Sequence, residues 1–155
     1  EVNEFGKYLF THEDARFQGG EFDLTYQALP GLIVTAMADA VRADNMPRIP
    51  ADRFGLGFEI STVALFATQS DWMLFGQWQQ VQKQNQVADN EEQSLGYDLL
   101  SLGMSYQTIL ANTEYRVDLK ANNLLDEEVR QHTSFVREQA PQPGRNLSVG
   151  VRVTF

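Results

Sequence analysis

Apolar and polar residues alternate with a period of two along most of this chain. In Arg145 to Phe155, Leu147, Val149, Val151, Val153 and Phe155 make one row, and Asn146, Ser148, Gly150, Arg152 and Thr154 make the other. Successive side chains of a strand point to opposite faces, so this pattern predicts a β-strand reaching the last residue. The same rhythm predicts strands over Glu21–Ala28, Phe54–Ser61, Leu100–Gln107 and Glu114–Asn122. Leu32–Arg42 alternates more softly, with Val34, Ala36, Ala38 and Ala40 in one row. Asp71–Val81 places Trp72, Leu74, Gly76 and Trp78 opposite Gln77 and Gln79, and a short segment near Phe5–Thr11 completes the set. Helical periodicity is absent. The expectation is an all-β chain of about eight strands.

The connections alternate too. Leu29-Pro30-Gly31, Ala67–Ser70 and Ala111-Asn112-Thr113 read as tight turns, from their Pro, Gly, Asn and Ser content. His12–Arg16, Asp44–Asp52, Gln82–Gly96 and Asp126–Gly144 read as longer polar loops. In an antiparallel meander, every second connection lies at the same end. One end is therefore trim and the other carries long loops, the asymmetry of outer-membrane barrels.

Alternation alone does not say which face is wet. A soluble sandwich or ligand-binding barrel alternates as well, with its apolar row turned to a core. Three features favour a membrane barrel. The polar row holds charges of both signs, as in Glu114, Arg116, Asp118 and Lys120. Tyr26, Tyr106 and Tyr115 lie on the apolar row beside the short turns, where an aromatic girdle would stand. Phe155 points the same way at the same end.

Composition narrows the function classes. The 155 residues carry 12 basic and 21 acidic side chains, for a net charge of −9, which disfavours a nucleic-acid partner. With no cysteine there is no disulfide framework, zinc–thiolate site or thiol nucleophile. No apolar run is long enough for a transmembrane helix, a test that barrel strands escape. The chain opens on Glu1-Val2, which suggests a processed product or a piece of something longer.

No Gly-x-Ser-x-Gly elbow, phosphate loop or His-Glu-x-x-His sequence is present, so no catalytic residue and no cofactor is expected. Glu91-Glu92 and Asp126-Glu127-Glu128 read as solvated loop charges rather than an acid–base pair. The metal candidates are His12 with Asp14, in Thr11-His12-Glu13-Asp14, and His132. Imidazole with carboxylate suits zinc and its neighbours, although any polar loop has this look, and His132 could instead pack against Phe135.

The C-terminal stretch KANNLLDEEVRQHTSFVREQAPQPGRNLSVGVRVTF resembles the end of a TonB-dependent outer-membrane receptor. The likeness rests on Asn123-Leu124-Leu125-Asp126, His132, Ser134-Phe135, Pro141, Pro143-Gly144-Arg145-Asn146 and the terminal Phe155. MPRIPADRFGLGFE, QNQVADNEEQSLGYDLLSLGMSY and DARFQGGEFDL extend it upstream. Within that family the sequence is most similar to the zinc and metal-uptake branch. The resemblance implies a transmembrane antiparallel β-barrel of roughly 22 strands closed around a plug. Residues 1–155 would supply about eight C-terminal strands of the wall, without the plug domain.

The implied activity is active transport of a scarce nutrient, zinc or another metal or metal chelate, across the bacterial outer membrane. The implied partners are the TonB complex, acting through the plug, the barrel-assembly machinery and outer-membrane lipid. Leu147, Val149, Val151, Val153 and Phe155 would form the signal read during assembly. Two other classes remain open: a self-sufficient eight-stranded barrel with a structural or adhesion role, and a soluble ligand-binding barrel.

Overall fold

A computed structural model describes residues 14–62, 71–89 and 91–155. They form seven strands: β1 (Phe17–Leu29), β2 (Leu32–Ala43), β3 (Arg53–Ser61), β4 (Asp71–Val81), β5 (Tyr97–Leu110), β6 (Thr113–Asn122) and β7 (Asn146–Thr154). The strands make one antiparallel sheet in the order β1-β2-β3-β4-β5-β6-β7, so every strand pairs with its neighbour in sequence. The sheet is open, with β1 and β7 at its edges. The strand expected at Phe5–Thr11 and the turn at Ala67–Ser70 lie outside the described residues.

Each predicted segment among the described residues is a strand, but several extend further. β1 starts at Phe17 rather than Glu21, and β5 runs from Tyr97 to Leu110 rather than from Leu100 to Gln107. In Tyr97-Asp98-Leu99-Leu100 the alternation fails while the backbone pairing continues. Ladder hydrogen bonds are indifferent to side chains, so a strand outlasts the pattern that reveals it. β7 ends at Thr154, and Phe155 follows it with 97% of its surface exposed.

Two turns follow from local chemistry. Pro30 and Gly31 join β1 to β2, Gly31 having φ of 80°, which only glycine adopts without strain. Ala111 and Asn112 join β5 to β6 with φ of 48° and 64°, the two left-handed residues of a two-residue hairpin loop.

The register joins the apolar rows into one surface. Tyr26, Val34, Phe58, Gly76, Leu102, Ala121 and Leu147 are successive partners across all seven strands. Leu32, Ile60, Leu74, Met104, Leu119 and Val149 form the next such line. Among the described residues nothing covers this face. Leu24, Tyr26, Leu56, Leu74, Leu102 and Val151 are all exposed, far beyond the few hundred Å² of apolar patch that a soluble monomer shows.

Aromatic side chains border the band. At the short-turn end Trp72 stacks on Tyr106 with ring centroids 4.5 Å apart, and at the other end Phe54 meets Trp78 edge-on at 5.8 Å. Trp72 and Trp78 stand about 20 Å apart along β4, at ~3.3 Å per residue. With strands tilted ~35–45° this separation spans part of the ~25 Å apolar band of an outer-membrane barrel.

The opposite face is polar. Asp39 on β2 lies opposite Arg53 on β3 and accepts two bonds from its Nε, at 3.1 and 3.0 Å. Phe75 is a large aromatic of this face, and its ring lies over Gly103 of β5, where an added Cβ would come within 2.1 Å of it.

Two outcomes test this architecture. Spin labels at Tyr26, Phe58, Leu102, Val117 and Val151 should report lipid in the assembled protein, and labels at Glu21, Glu59, Ser101, Asp118 and Arg152 should report water. The reverse pattern would turn the sheet inside out. Ala111→Gly should stabilise the β5–β6 hairpin by about 1 kcal/mol in a urea titration, because it removes a left-handed Cβ; a loss of stability would contradict the turn geometry.

Candidate functional site

The long loops gather at the end opposite the short turns. The β2–β3 loop (residues 44–52), the β4–β5 loop (82–96) and the β6–β7 loop (123–145) pack on one another there. The buried apolar side chains among the described residues are Ile49, Ala51, Val81 and Val129. All but Val81 are in these loops, and Val81 ends β4 beneath them. The small buried core of the described residues is therefore mostly in the loops. Gln84 and Ser94 bridge the arms of the β4–β5 loop, and the Gln84 amide donates to the carbonyls of Ile49 and Pro50, both at 3.0 Å.

His132 is the hub. Its side chain is 2% exposed. Arg137 Nη1 lies 2.7 Å from Nδ1, and Ser94 Oγ lies 3.0 Å from the same nitrogen. A guanidinium can only donate, so Nδ1 accepts and the ring hydrogen is on Nε2. Nε2 faces Glu91 Oε1 at 3.2 Å. The alignment there is too poor for a hydrogen bond, so the contact is one of charge with a buried N–H. Glu91 also accepts from the backbone N–H of Arg48 at 2.9 and 3.1 Å, and Arg137 Nη2 donates to the Glu92 carbonyl at 2.6 Å. Through His132 and Glu91 the cluster thus links all three loops.

Glu91 is not a solvated loop charge, since its side chain is only 11% exposed and holds this cluster. His132 does serve packing, but not against Phe135, which is 80% exposed beneath the Arg48 guanidinium. Further supports surround the hub. Arg130 Nη1 donates to the carbonyls of Arg137 and Glu138 at 2.5 and 2.8 Å. Asn123 turns the β6–β7 loop by donating to the Glu127 carbonyl at 2.8 Å and accepting from the Glu127 N–H at 3.0 Å. Asp126 accepts from the Arg145 N–H at 2.9 Å.

Ser94, His132 and Glu91 have the order of a nucleophile, base and orienting acid, yet the base is already occupied. The Nδ1 lone pair that would take the serine proton is bonded to Arg137. A metal at Nε2 would need the ring hydrogen on Nδ1, where Arg137 donates. Asp14 is exposed just ahead of β1, at this same end, and His12 lies outside the described residues. Among the described residues no three His, Asp or Glu side chains gather as a metal set. The apolar row Leu147, Val149, Val151 and Val153 stands on edge strand β7, facing away from the polar face.

Arg42 and Asp52 form a two-pronged ion pair beside the hub, with Nη2 to Oδ2 at 2.6 Å. Hydrogen bonding to Arg42 holds the Asp52 carboxyl below the usual carboxylate range, against a smaller opposing effect of partial burial.

No family model matches the chain. Among solved structures it is similar to one described as "Copper transporter OprC", with a TM-score of 0.68 and 22% identity, over 88% of this chain. The likeness shows the fold: an antiparallel sheet of the kind that forms the wall of an outer-membrane barrel. The chain spans 23% of the length of that transporter.

Two measurements follow. His132→Ala should open the loop cluster, with residues 123–145 clipped by protease roughly tenfold faster or more, as for the loss of a charge-assisted bond of about 1.5–3 kcal/mol. Heat-modifiable migration of the barrel should survive. Clipping at the parental rate would remove the hub role. The contribution of Asp52 is present above the ordinary carboxylate value of about 3.9 and lost as pH falls through its lower folded value. Protection of residues 44–52 should therefore fall in that acid range, and in Asp52→Asn it should be low at all pH values.

Proposed function

We propose that this chain is the C-terminal wall of a TonB-dependent outer-membrane receptor that imports a metal or metal chelate. The observation that carries the reading is the unbroken apolar face of a single-layer seven-stranded sheet, backed by a charged polar face. A bilayer is the solvent that suits such a face. In hydrocarbon, an open sheet edge leaves backbone groups unpaired, so β1 and β7 call for further strands. That requirement supports a larger barrel over a stand-alone eight-stranded one.

The fold likeness to a copper transporter supports metal import in general. Zinc remains the narrower proposal, supported by the sequence resemblance. Energy would come from the TonB complex through a plug domain, and the receptor would reside in the bacterial outer membrane. His12 and Asp14 are the proposed external ligand pair. His132 would be a secondary contact, because it must first release Arg137. Leu147, Val149, Val151, Val153 and Phe155 are proposed as the signal taken up by the barrel-assembly machinery.

Metal accumulation in cells lacking the whole receptor is the deciding experiment. Zinc uptake should fall under zinc starvation, His12→Ala should have a modest effect, and His132→Ala a smaller one. Lost copper uptake with normal zinc would correct the metal, and lost uptake of an iron chelate alone would correct the substrate class. Deleting Phe155 should lower the amount of heat-modifiable, assembled receptor far more than Val41→Ala does. Equal assembly would remove its signal role.

A further inference from the structure

On the polar face, β6 and β7 set Arg116 directly opposite Arg152 and Lys120 opposite Ser148. Like charges facing each other across an antiparallel pair repel. Asp118 offsets part of this by bonding Arg116 Nε at 3.0 Å. Lys120 and Arg152 have no carboxylate partner among the described residues; Lys120 Nζ instead stands 5.8 Å from the centroid of the Phe75 ring. The contrast is with β2 and β3, where the facing Asp39 and Arg53 neutralise each other.

These side chains line a cavity of about 490 Å³. That volume lies in the range of small-molecule sites, ~300–1,000 Å³. Its floor has a specific cause. Because residue 103 is glycine, the Phe75 ring lies down over β5, beside the cations. The site therefore combines surplus positive charge, a hydroxyl at Ser148 and a flat apolar surface.

We propose that this cavity binds an oxyanion attached to a flat apolar group. The carboxylate or phosphate is held by Arg152 and Lys120 with help from Ser148, and the flat part lies against Phe75. Asp118 limits affinity by repelling the anion while it holds Arg116 in place. The inference rests on the polar face being the wet wall of the barrel, and it adds an anionic ligand class to the transport reading.

The test uses the full-length receptor in detergent micelles, titrated with benzoate, acetate and inorganic phosphate, with binding followed by isothermal titration calorimetry. Benzoate should bind several-fold tighter than acetate. Arg152→Gln and Lys120→Gln should each weaken benzoate and phosphate about tenfold, as for loss of a charge-assisted bond. Asp118→Asn should tighten both. Phe75→Leu should narrow the gap between benzoate and acetate without changing acetate, which a purely structural role of Phe75 would not do. Arg152→Lys should retain phosphate, and Glu21→Gln on β1 should change nothing. Heat-modifiable migration confirms assembly of each variant.

The proposal is overturned if no probe binds saturably, if Arg152→Gln binds as the parent does, or if Glu21→Gln alters binding as much. Binding is read without any uptake step. A receptor that binds benzoate in this pattern but moves no metal keeps the site and loses the transport reading, and the converse result loses only the site.

Discussion

A pleated sheet has two faces, and a single layer of strands has nothing of its own with which to cover either. In this protein one face carries leucine, valine, phenylalanine and tryptophan across seven strands, and the other carries charge. A soluble domain resolves that difference by packing a second layer onto the apolar side. Here the apolar side chains stay exposed, so the sheet is stable only where its surroundings are themselves apolar on one side and wet on the other. Strand length, the position of the aromatic borders and the location of the loops all follow from that division.

The loops obey the opposite rule. They stand clear of the apolar band, must be stable in water, and build a small conventional core from Ile49, Ala51 and Val129 with a buried polar hub at His132. Buried polar networks favour one geometry, because an alternative packing strands a charge. Arg137 and Glu91 hold the ring from its two nitrogens, so the loop end is as specified as a domain core although it contains no ladder.

The seven described strands were legible in the sequence, down to which residues share a face, because a period of two is written locally. Tyr26, Tyr106 and Tyr115 could be placed at the trim end from turn positions alone; Trp72 joins them through a cross-strand pairing that pattern reading does not assign. The hub was not legible. Ser94 and His132 are 38 residues apart, and Arg137 reaches the carbonyl of a residue 45 positions away. No local rhythm records such contacts, and Glu91 next to Glu92 looks like any acidic loop. The basic cavity escaped for a related reason: Arg116 and Arg152 face each other only once β6 and β7 are in register.

Because each strand pairs only with its neighbours in sequence, the sheet is in effect a tape. Inserting or removing an adjacent pair of strands would leave every remaining pairing, and the side each residue faces, unchanged. Such a wall can gain or lose hairpins by duplication or deletion without passing through a misfolded intermediate design. Its width is thereby open to evolution, while the loops locked around His132 would have to be rebuilt together.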